Sequence, residues 1–470
     1  MPRPRPLRGL TLEALRDFTR ETLRGLTRDG APRWRSPAAV FTSMTALAAT
    51  SLLPGPALAE SQSAVCALER TDAHHSEGVD TWNSAYVRPD HPLDAVMVFL
   101  SFPDSRPRVT PAELAADHFP ATRLFFERAS YGKFTVRPHA QRDWIRMPHP
   151  STSYAIRRDW NAGQRAAYLR DAITAADRQV DFSRYEIVYL VADPDAPGVD
   201  SDATKVVNLD TPLSADGRDI RRVVTVFEKH PPDRLVLAHE TGHVFDLPDL
   251  YHRPTDGKID WDTYVGDWDL MGSQFGLAPD LFGWHKWKLG WLDEEQVACV
   301  RGTGGTRLTM EAVGSSSPSA AGAAGPRAWP AGSAGSAGSA GSAGSGGAPG
   351  VSGARLFGSG QGTKLAVVRT GLDSVLAFEV RASGGNDGAT CTQGVLVYRV
   401  RSEAASGDGP VEVLDAHPHS EACWEGSVYP ALADAPVALG ESYTVPGEKV
   451  RVEVEDRTAS GAWTVTITTG

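Results

Sequence analysis

The first half of the chain combines continuous apolar runs with apolar residues at helical spacing. The runs at 95–102 and 185–192 are apolar almost throughout, which predicts strands that are buried on both faces. Apolar residues three or four positions apart predict an amphipathic helix over 162–180. A Thr-Pro start with Glu in the first turn predicts another helix over 110–126, broken near Pro120. This alternation predicts an α/β domain.

Shorter segments on both sides of residue 298 predict further strands. Residues 133–137 and 222–227 predict two further strands of the first domain, the second of them at a sheet edge. Beyond residue 298, segments rich in β-branched residues follow one another between turn residues, which predicts an all-β domain. Its predicted strands are 306–313, 364–369, 375–381, 395–401, 450–454 and 463–467.

A low-complexity stretch at 314–354 consists almost entirely of Gly, Ala, Ser and Pro. Such a sequence has nothing to bury and behaves as a flexible coil. A linker between two domains is one interpretation, but a strand-like segment precedes the stretch and more strands follow it. We therefore interpret it as a disordered loop within the β domain, because lengthening a surface loop costs only about 0.6 kcal/mol per doubling.

The first 59 residues have the order of a secretory signal peptide. An Arg-rich stretch precedes the uncharged apolar run at 37–53, and the small residues Ala57 and Ala59 suit a cleavage site. The run is shorter than the ~20 residues that span a bilayer, and an uncleaved anchor is the alternative. We expect secretion to the extracellular space, with no stable membrane insertion after cleavage. The predicted organisation is a signal peptide at 1–59, a first domain at 60–297 and a β-rich domain at 298–470.

Charge and cysteine content narrow the class of protein. The net charge of −11 argues against a nucleic-acid partner, which requires a concentrated basic face. Four cysteines in an exported chain indicate two disulfides, although they allow three pairings. We predict that Cys391 pairs with Cys423, because both flank β-like segments of one region, which leaves Cys66 to pair with Cys299. In the alternative, Cys66 is a thiolate that caps a metal.

The candidate catalytic and metal-binding residues lie in the segment HETGH at 239–243. On a helix that begins near Asp233, His239 and His243 share one face, so both can bind one metal ion. Zinc takes imidazole ligands and keeps a position open for water when the protein supplies three ligands. Glu240 then lies beside that water and can act as the general base.

Asp249 is the expected third ligand. Pro248 lacks an N–H and disfavours helix for the residue before it, so the helix stops and the chain can turn back to the metal. The alternative is a ligand from an acidic run, which consists of Asp256, Asp260, Asp262, Asp267 and Asp269.

Two other groups of residues bear on metal binding. His74 and His75 could bind an ion, but we interpret them as exposed histidines near the mature N-terminus. Acidic residues also suggest a Ca²⁺ loop, with solvated turns as the alternative. These acids are Asp193, Asp195, Asp200, Asp202, Asp260 and Asp262.

The residues around the metal motif resemble those of the immune inhibitor A-type metallopeptidases, a family of secreted bacterial zinc enzymes. The resemblance covers most of 92–470, and its most specific part is the segment HETGHVFDLPDLY. The other blocks are GDWDLMG at 266–272, LGWL at 289–292, SYGKFTVRP at 130–138 and GVLVYRV at 394–400.

This resemblance implies an α/β (α+β) metzincin-like zinc protease domain followed by an all-β, sandwich-like domain. It implies the same three zinc ligands and the same catalytic base as the residues themselves, and it places Met271 in a turn beneath the metal. The family has Gly three residues after the second histidine, where this chain has Asp246. Asp tolerates a left-handed backbone better than most residues, so we expect the turn to be kept.

The sequence thus predicts a secreted zinc-dependent endopeptidase that hydrolyses proteins or peptides through a zinc-activated water, with Glu240 as the base. We expect a monomer. One alternative is a secreted binding or adhesion protein on a catalytically impaired protease scaffold. The intact Glu240 and ligand set argue against it, whereas the Asp246 departure favours it. The other alternative is a zinc amidase that acts on cell-wall peptides.

Overall fold

The order of elements follows the predicted change from mixed α/β to β. A computed structural model describes residues 63–253, 260–315 and 362–470. Before residue 260, its strands are Leu93–Ser101 (β1), Val136–Ala140 (β2), Ile145–Arg146 (β3), Ile187–Ala192 (β4), Lys205–Ala215 (β5) and Arg218–Val226 (β6). The α-helices in this part are Pro111–His118 (α1), Ala121–Ala129 (α2), Ser151–Tyr154 (α3), Ala162–Ala176 (α4) and Val236–Val244 (α5).

The rest of the described chain is dominated by strands. A short helix, Gly283–Lys288 (α6), precedes them. The strands are Val297–Cys299 (β7), Gly304–Met310 (β8), Leu365–Arg369 (β9), Ser374–Arg381 (β10), Gly394–Arg401 (β11), Val411–Val413 (β12), Ser442–Thr444 (β13), Val450–Arg457 (β14) and Trp463–Thr469 (β15). The predicted signal peptide and most of the predicted Gly/Ala/Ser loop lie outside the described residues.

The first sheet has the strand order β2-β1-β4-β6-β5, and β3 pairs with the end of β1. β1, β2, β4 and β6 pair in parallel, whereas β5 runs antiparallel to β6. The prediction that 222–227 lies at a sheet edge is wrong, because β5 lies outside β6. The sequence of β5, KVVNLDTPLSA, is half-exposed, and Asn, Asp, Thr and Pro interrupt its apolar residues, so it gave no strand signal.

The two faces of this sheet are covered by different helices. Met97 and Phe99 of β1 belong to the hydrophobic cluster that contains α5, and Val98 and Leu100 belong to the cluster that contains α4. β1 is therefore buried on both faces, as its continuous apolar run predicts. The break at Pro120 is also confirmed, because α1 ends at His118 and α2 begins at Ala121.

Two further sheets are built from the later strands. Their orders are β12-β11-β10-β9-β7 and β13-β14-β15-β8. Strands on the two sides of the undescribed residues 316–361 are paired, since β7 pairs with β9 and β8 pairs with β15. Alternate residues of β10 belong to two clusters: Ala377 to the cluster that contains α5, and Phe378 to the cluster that contains β14 and β15. The β-rich part thus shares a hydrophobic core with the helix that carries the metal motif.

Both predicted disulfides are present. Cys66 is bonded to Cys299, with a Cα–Cα distance of 5.8 Å, and Cys391 is bonded to Cys423, with a distance of 6.2 Å. The first bond attaches the segment after the predicted signal peptide to β7. No helix in the described residues is long and apolar enough to cross a membrane.

Candidate metal centre

Helix α5 ends where the metal motif requires it to end. The N–H of Leu247 donates to the carbonyl of Gly242, and the N–H of Asp246 donates to the carbonyl of His243. These two bonds form a Schellman motif, which requires a left-handed residue just after the helix. Asp246 is that residue, with a φ of 65°, so the turn is kept as expected despite the absence of Gly.

The turn brings three potential ligand atoms together. Oδ1 of Asp249 lies 3.0 Å from Nε2 of His243 and 3.5 Å from Nε2 of His239. Ligands about 2.0–2.2 Å from a tetrahedral zinc ion are roughly 3.3 Å apart, so these separations match the edges of such a site. In the described residues, this is the group of His, Cys, Asp and Glu side chains that could hold a metal ion.

Hydrogen bonds leave the correct ring atoms available for a metal. Nδ1 of His239 donates to the carbonyl of Leu270, and Nδ1 of His243 donates to the carbonyl of Leu247. In each ring Nε2 therefore faces the other ligands, and it carries the lone pair when the ring is neutral. Oδ1 of Asp249 is buried and has no hydrogen-bond partner. A cation bound between the two Nε2 atoms and Oδ1 would satisfy this buried oxygen.

Charge interactions keep the third ligand ionised. Burial alone raises the pKa of Asp249, but the adjacent His243 and His239 rings hold it well below its usual range. Its Oδ2 accepts hydrogen bonds from Arg253 at 2.6 Å and from the hydroxyl of Ser406 at 3.2 Å. The carboxylate is therefore fixed through one oxygen while the other faces the histidines.

Glu240 lies next to the ligands and is almost fully buried. Burial raises its pKa, and the two histidines oppose this effect only in part. The N–H of Val206 in the edge strand β5 donates to Oε2 of Glu240 at 2.8 Å. A carboxylate with a raised pKa and one oriented oxygen has the properties of a general base.

Met271 lies directly below helix α5. A Cβ atom on Gly242 would collide with Sδ of Met271, so the glycine allows the close approach of this side chain. The backbone around Met271 also supports the site, because Leu270 accepts the bond from His239 and Met271 accepts one from the N–H of Leu250. The family resemblance predicted a methionine in this position.

A cleft of about 470 Å³ opens onto Glu240, His243 and Asp249. One wall comes from the segment after Cys66, which contributes His74 and His75. His75 is not exposed, contrary to our expectation. It is 3% exposed, donates from Nδ1 to Asp246 at 2.9 Å, and stacks against His243. This contact could not be predicted, because the partners are far apart in the chain.

The acidic residues considered as alternative ligands lie elsewhere or bond to the backbone. Asp267 accepts bonds from the N–H groups of Leu277 and Val428, and Asp269 accepts them from Met271 and Phe282. Asp260 and Asp262 line a different groove. Asp256 is outside the described residues.

The acids considered as calcium ligands also bond to nearby groups. Asp193 accepts from Ser105 and from the N–H of Asp195, and Asp200 accepts from the N–H of Asp202. Such bonds are typical of Asp in turns, and the Ca²⁺ interpretation stays a prediction.

Comparison with known proteins adds no family assignment. The chain matches no protein-family model and shows no significant match to a curated protein. Its function must therefore be argued from the site itself.

Proposed function

We propose that this protein is a secreted zinc-dependent endopeptidase that hydrolyses peptide bonds of extracellular proteins. The observation that carries the proposal is the convergence of His239, His243 and Asp249 beside Glu240 in an open cleft. Three protein ligands next to a carboxylate and an open position are the composition of a catalytic zinc site, whereas a structural site is closed by a fourth protein ligand.

The proposed chemistry assigns a role to each side chain. His239, His243 and Asp249 hold the metal ion. When bound, zinc would act as a Lewis acid on the scissile carbonyl and lower the pKa of water. Glu240 accepts a proton from the attacking water and then donates it to the leaving amine. The Val206 N–H holds one carboxylate oxygen of Glu240, so the other oxygen is available for proton transfer.

We also propose a metzincin-like catalytic domain at 60–297 and a sandwich-like β domain at 298–470. The close approach of Met271 to Gly242 supports the first assignment, because it puts a methionine turn directly beneath the metal-binding helix. The second assignment is supported by the cluster that β9 and β10 share with β14 and β15.

The geometry at Asp246 supports an active enzyme over an impaired scaffold. A misplaced turn would move Asp249 away from the histidines, but Asp246 adopts the left-handed conformation and the ligand atoms meet. We therefore expect the metal site to be kept, although Asp246 replaces the family's Gly.

The test is the variant Glu240→Gln in the full chain. We expect zinc content to stay at the wild-type level and cleavage of casein and of an unbiased peptide library to fall by at least about 100-fold, because the general base is lost. Glu295→Gln changes an exposed carboxylate and serves as the matched control. Unchanged cleavage by Glu240→Gln would contradict the proposed role. Wild-type protein that cleaves cell-wall peptides only would favour the amidase, and one that cleaves neither would favour a binding protein.

A further inference from the structure

A loop from the β-rich part of the chain reaches the third metal ligand. Residues 402–410 connect β11 to β12, and Ser406 in this loop is separated from Asp249 by 157 residues. The backbone N–H of Gly407 donates to the carbonyl of Asp249 at 2.9 Å. The loop therefore contacts the ligand residue through both its backbone and a side chain.

The hydroxyl of Ser406 binds Asp249 at two points. Its Oγ accepts the N–H of Asp249 at 2.8 Å and donates to Oδ2 of the same residue at 3.2 Å. A hydroxyl carries one donor and two acceptor sites, so both bonds can form together. Joining the backbone and the carboxylate of one residue restricts the rotation of that side chain.

These contacts decide which carboxylate oxygen remains for the metal. Ser406 and Arg253 occupy Oδ2, whereas Oδ1 is the buried atom without a hydrogen-bond partner. The side chain of Arg253 is 60% exposed, so solvent weakens its interaction with Asp249. Ser406 is the more shielded of the two partners, and it is itself held by a bond from its N–H to the carbonyl of His74 at 3.3 Å.

We propose that Ser406 is a positioning residue for the metal centre, which presents Oδ1 of Asp249 to the ion. This inference rests on the proposed function only in its assignment of a metal site, not in the assignment of a substrate. It implies that the loop 402–410 is part of the metal centre. Partners that orient a metal ligand typically contribute 10–100-fold to metal affinity.

The experiment measures the zinc dissociation constant of the full chain by competition with a chromophoric chelator, without substrate. We expect Ser406→Ala to raise the dissociation constant by about 10–100-fold. Ser406→Thr keeps the hydroxyl and should restore affinity to within about threefold of the wild type. Glu403→Ala alters an exposed side chain of the same loop and is the matched control.

The outcomes separate this inference from the proposed function. Thermal unfolding of the metal-free variants checks that they fold, and Ser406→Gly provides a second truncation if the Ala variant fails. Ser406→Ala or Ser406→Gly with wild-type zinc affinity would overturn the role of Ser406, as would equal loss in Ser406→Thr. A wild-type chain without zinc affinity would contradict both proposals. Zinc binding without peptide hydrolysis would contradict the endopeptidase and leave the Ser406 result intact.

Discussion

Two buried clusters of histidine and carboxylate differ in how their polar atoms are satisfied. His285 lies between Glu77 and Asp269, with Nε2 at 2.8 Å and Nδ1 at 3.1 Å from the two carboxylates. In the metal cluster, each Nδ1 bonds to a backbone carbonyl, and Oδ1 of Asp249 has no hydrogen-bond partner. The first cluster is closed to solvent and holds its own cations, with Nζ of Lys288 3.6 Å from the Glu77 oxygen that has no hydrogen-bond partner, whereas the metal cluster opens onto the cleft.

The two carboxylates also set the charge of His285. Burial opposes protonation of His285, but Glu77 and Asp269 raise its pKa to about 9, so the ring is a cation at neutral pH. It acts as the counter-charge that a metal would otherwise supply. Residue types alone therefore do not identify a metal site, because the direction in which each ring nitrogen points must also be known.

Substitution of the third ligand, Asp249, should have the largest effect on the metal cluster. Asp249→Asn replaces a charged ligand by a neutral amide, and we expect zinc affinity to fall by more than about 100-fold. This loss is larger than the one expected for Ser406→Ala, because Ser406 contacts the ligand and not the metal. Asp262→Asn is the matched control, because Asp262 was an alternative ligand in the sequence and lines a separate groove. Competition with a chelator measures both. Equal loss in the two variants would show that overall negative charge, and not the ligand geometry, retains the ion.

Substitution of His285 in the closed cluster should lower the stability of the fold and leave metal binding unchanged. His285→Gln leaves Glu77 and Asp269 buried without their shared cation, so we expect the free energy of unfolding to fall by about 3–5 kcal/mol. The folded fraction should still bind zinc, because His285 contacts none of the ligand atoms. Chemical denaturation measures the change. His91→Gln removes an exposed His–Asp pair and should change stability by less than about 1 kcal/mol. A loss of zinc without a loss of stability in His285→Gln would contradict the assignment.

The same histidine predicts a pH dependence. Its folded pKa of about 9 is above the usual 6.5, so its contribution to stability is fully present below pH 6.5 and disappears as the pH rises through 9. The difference in unfolding free energy between wild type and His285→Gln should therefore shrink by an amount of the order of 3 kcal/mol over this range. Denaturation at several pH values, with metal-free protein, measures it. A difference that stays constant or grows with pH would mean that His285 is neutral in the fold.

The two clusters also show what the sequence could predict. His239, Glu240 and His243 are fixed by helical spacing, and Pro248 indicates the turn to Asp249, so local sequence was enough for these residues. The Cys391–Cys423 disulfide followed from the predicted strands that flank it, and Cys66–Cys299 was the pair that remained.

The contacts that complete the site could not be predicted. No local pattern indicates that Ser406 bonds to Asp249, that His75 bonds to Asp246, or that Val206 bonds to Glu240. Each contact joins segments that only the tertiary fold brings together. Strand β5 was missed for a related reason, because an edge strand with exposed polar residues carries no hydrophobic pattern.

Anomalous diffraction at the zinc absorption edge, from crystals of the full chain grown with Zn²⁺, would locate a bound ion directly. We expect one peak about 2.0–2.2 Å from Nε2 of His239, Nε2 of His243 and Oδ1 of Asp249. An empty position there, with the Asp249 carboxylate turned to solvent or the ion held by Asp260 and Asp262, would contradict it.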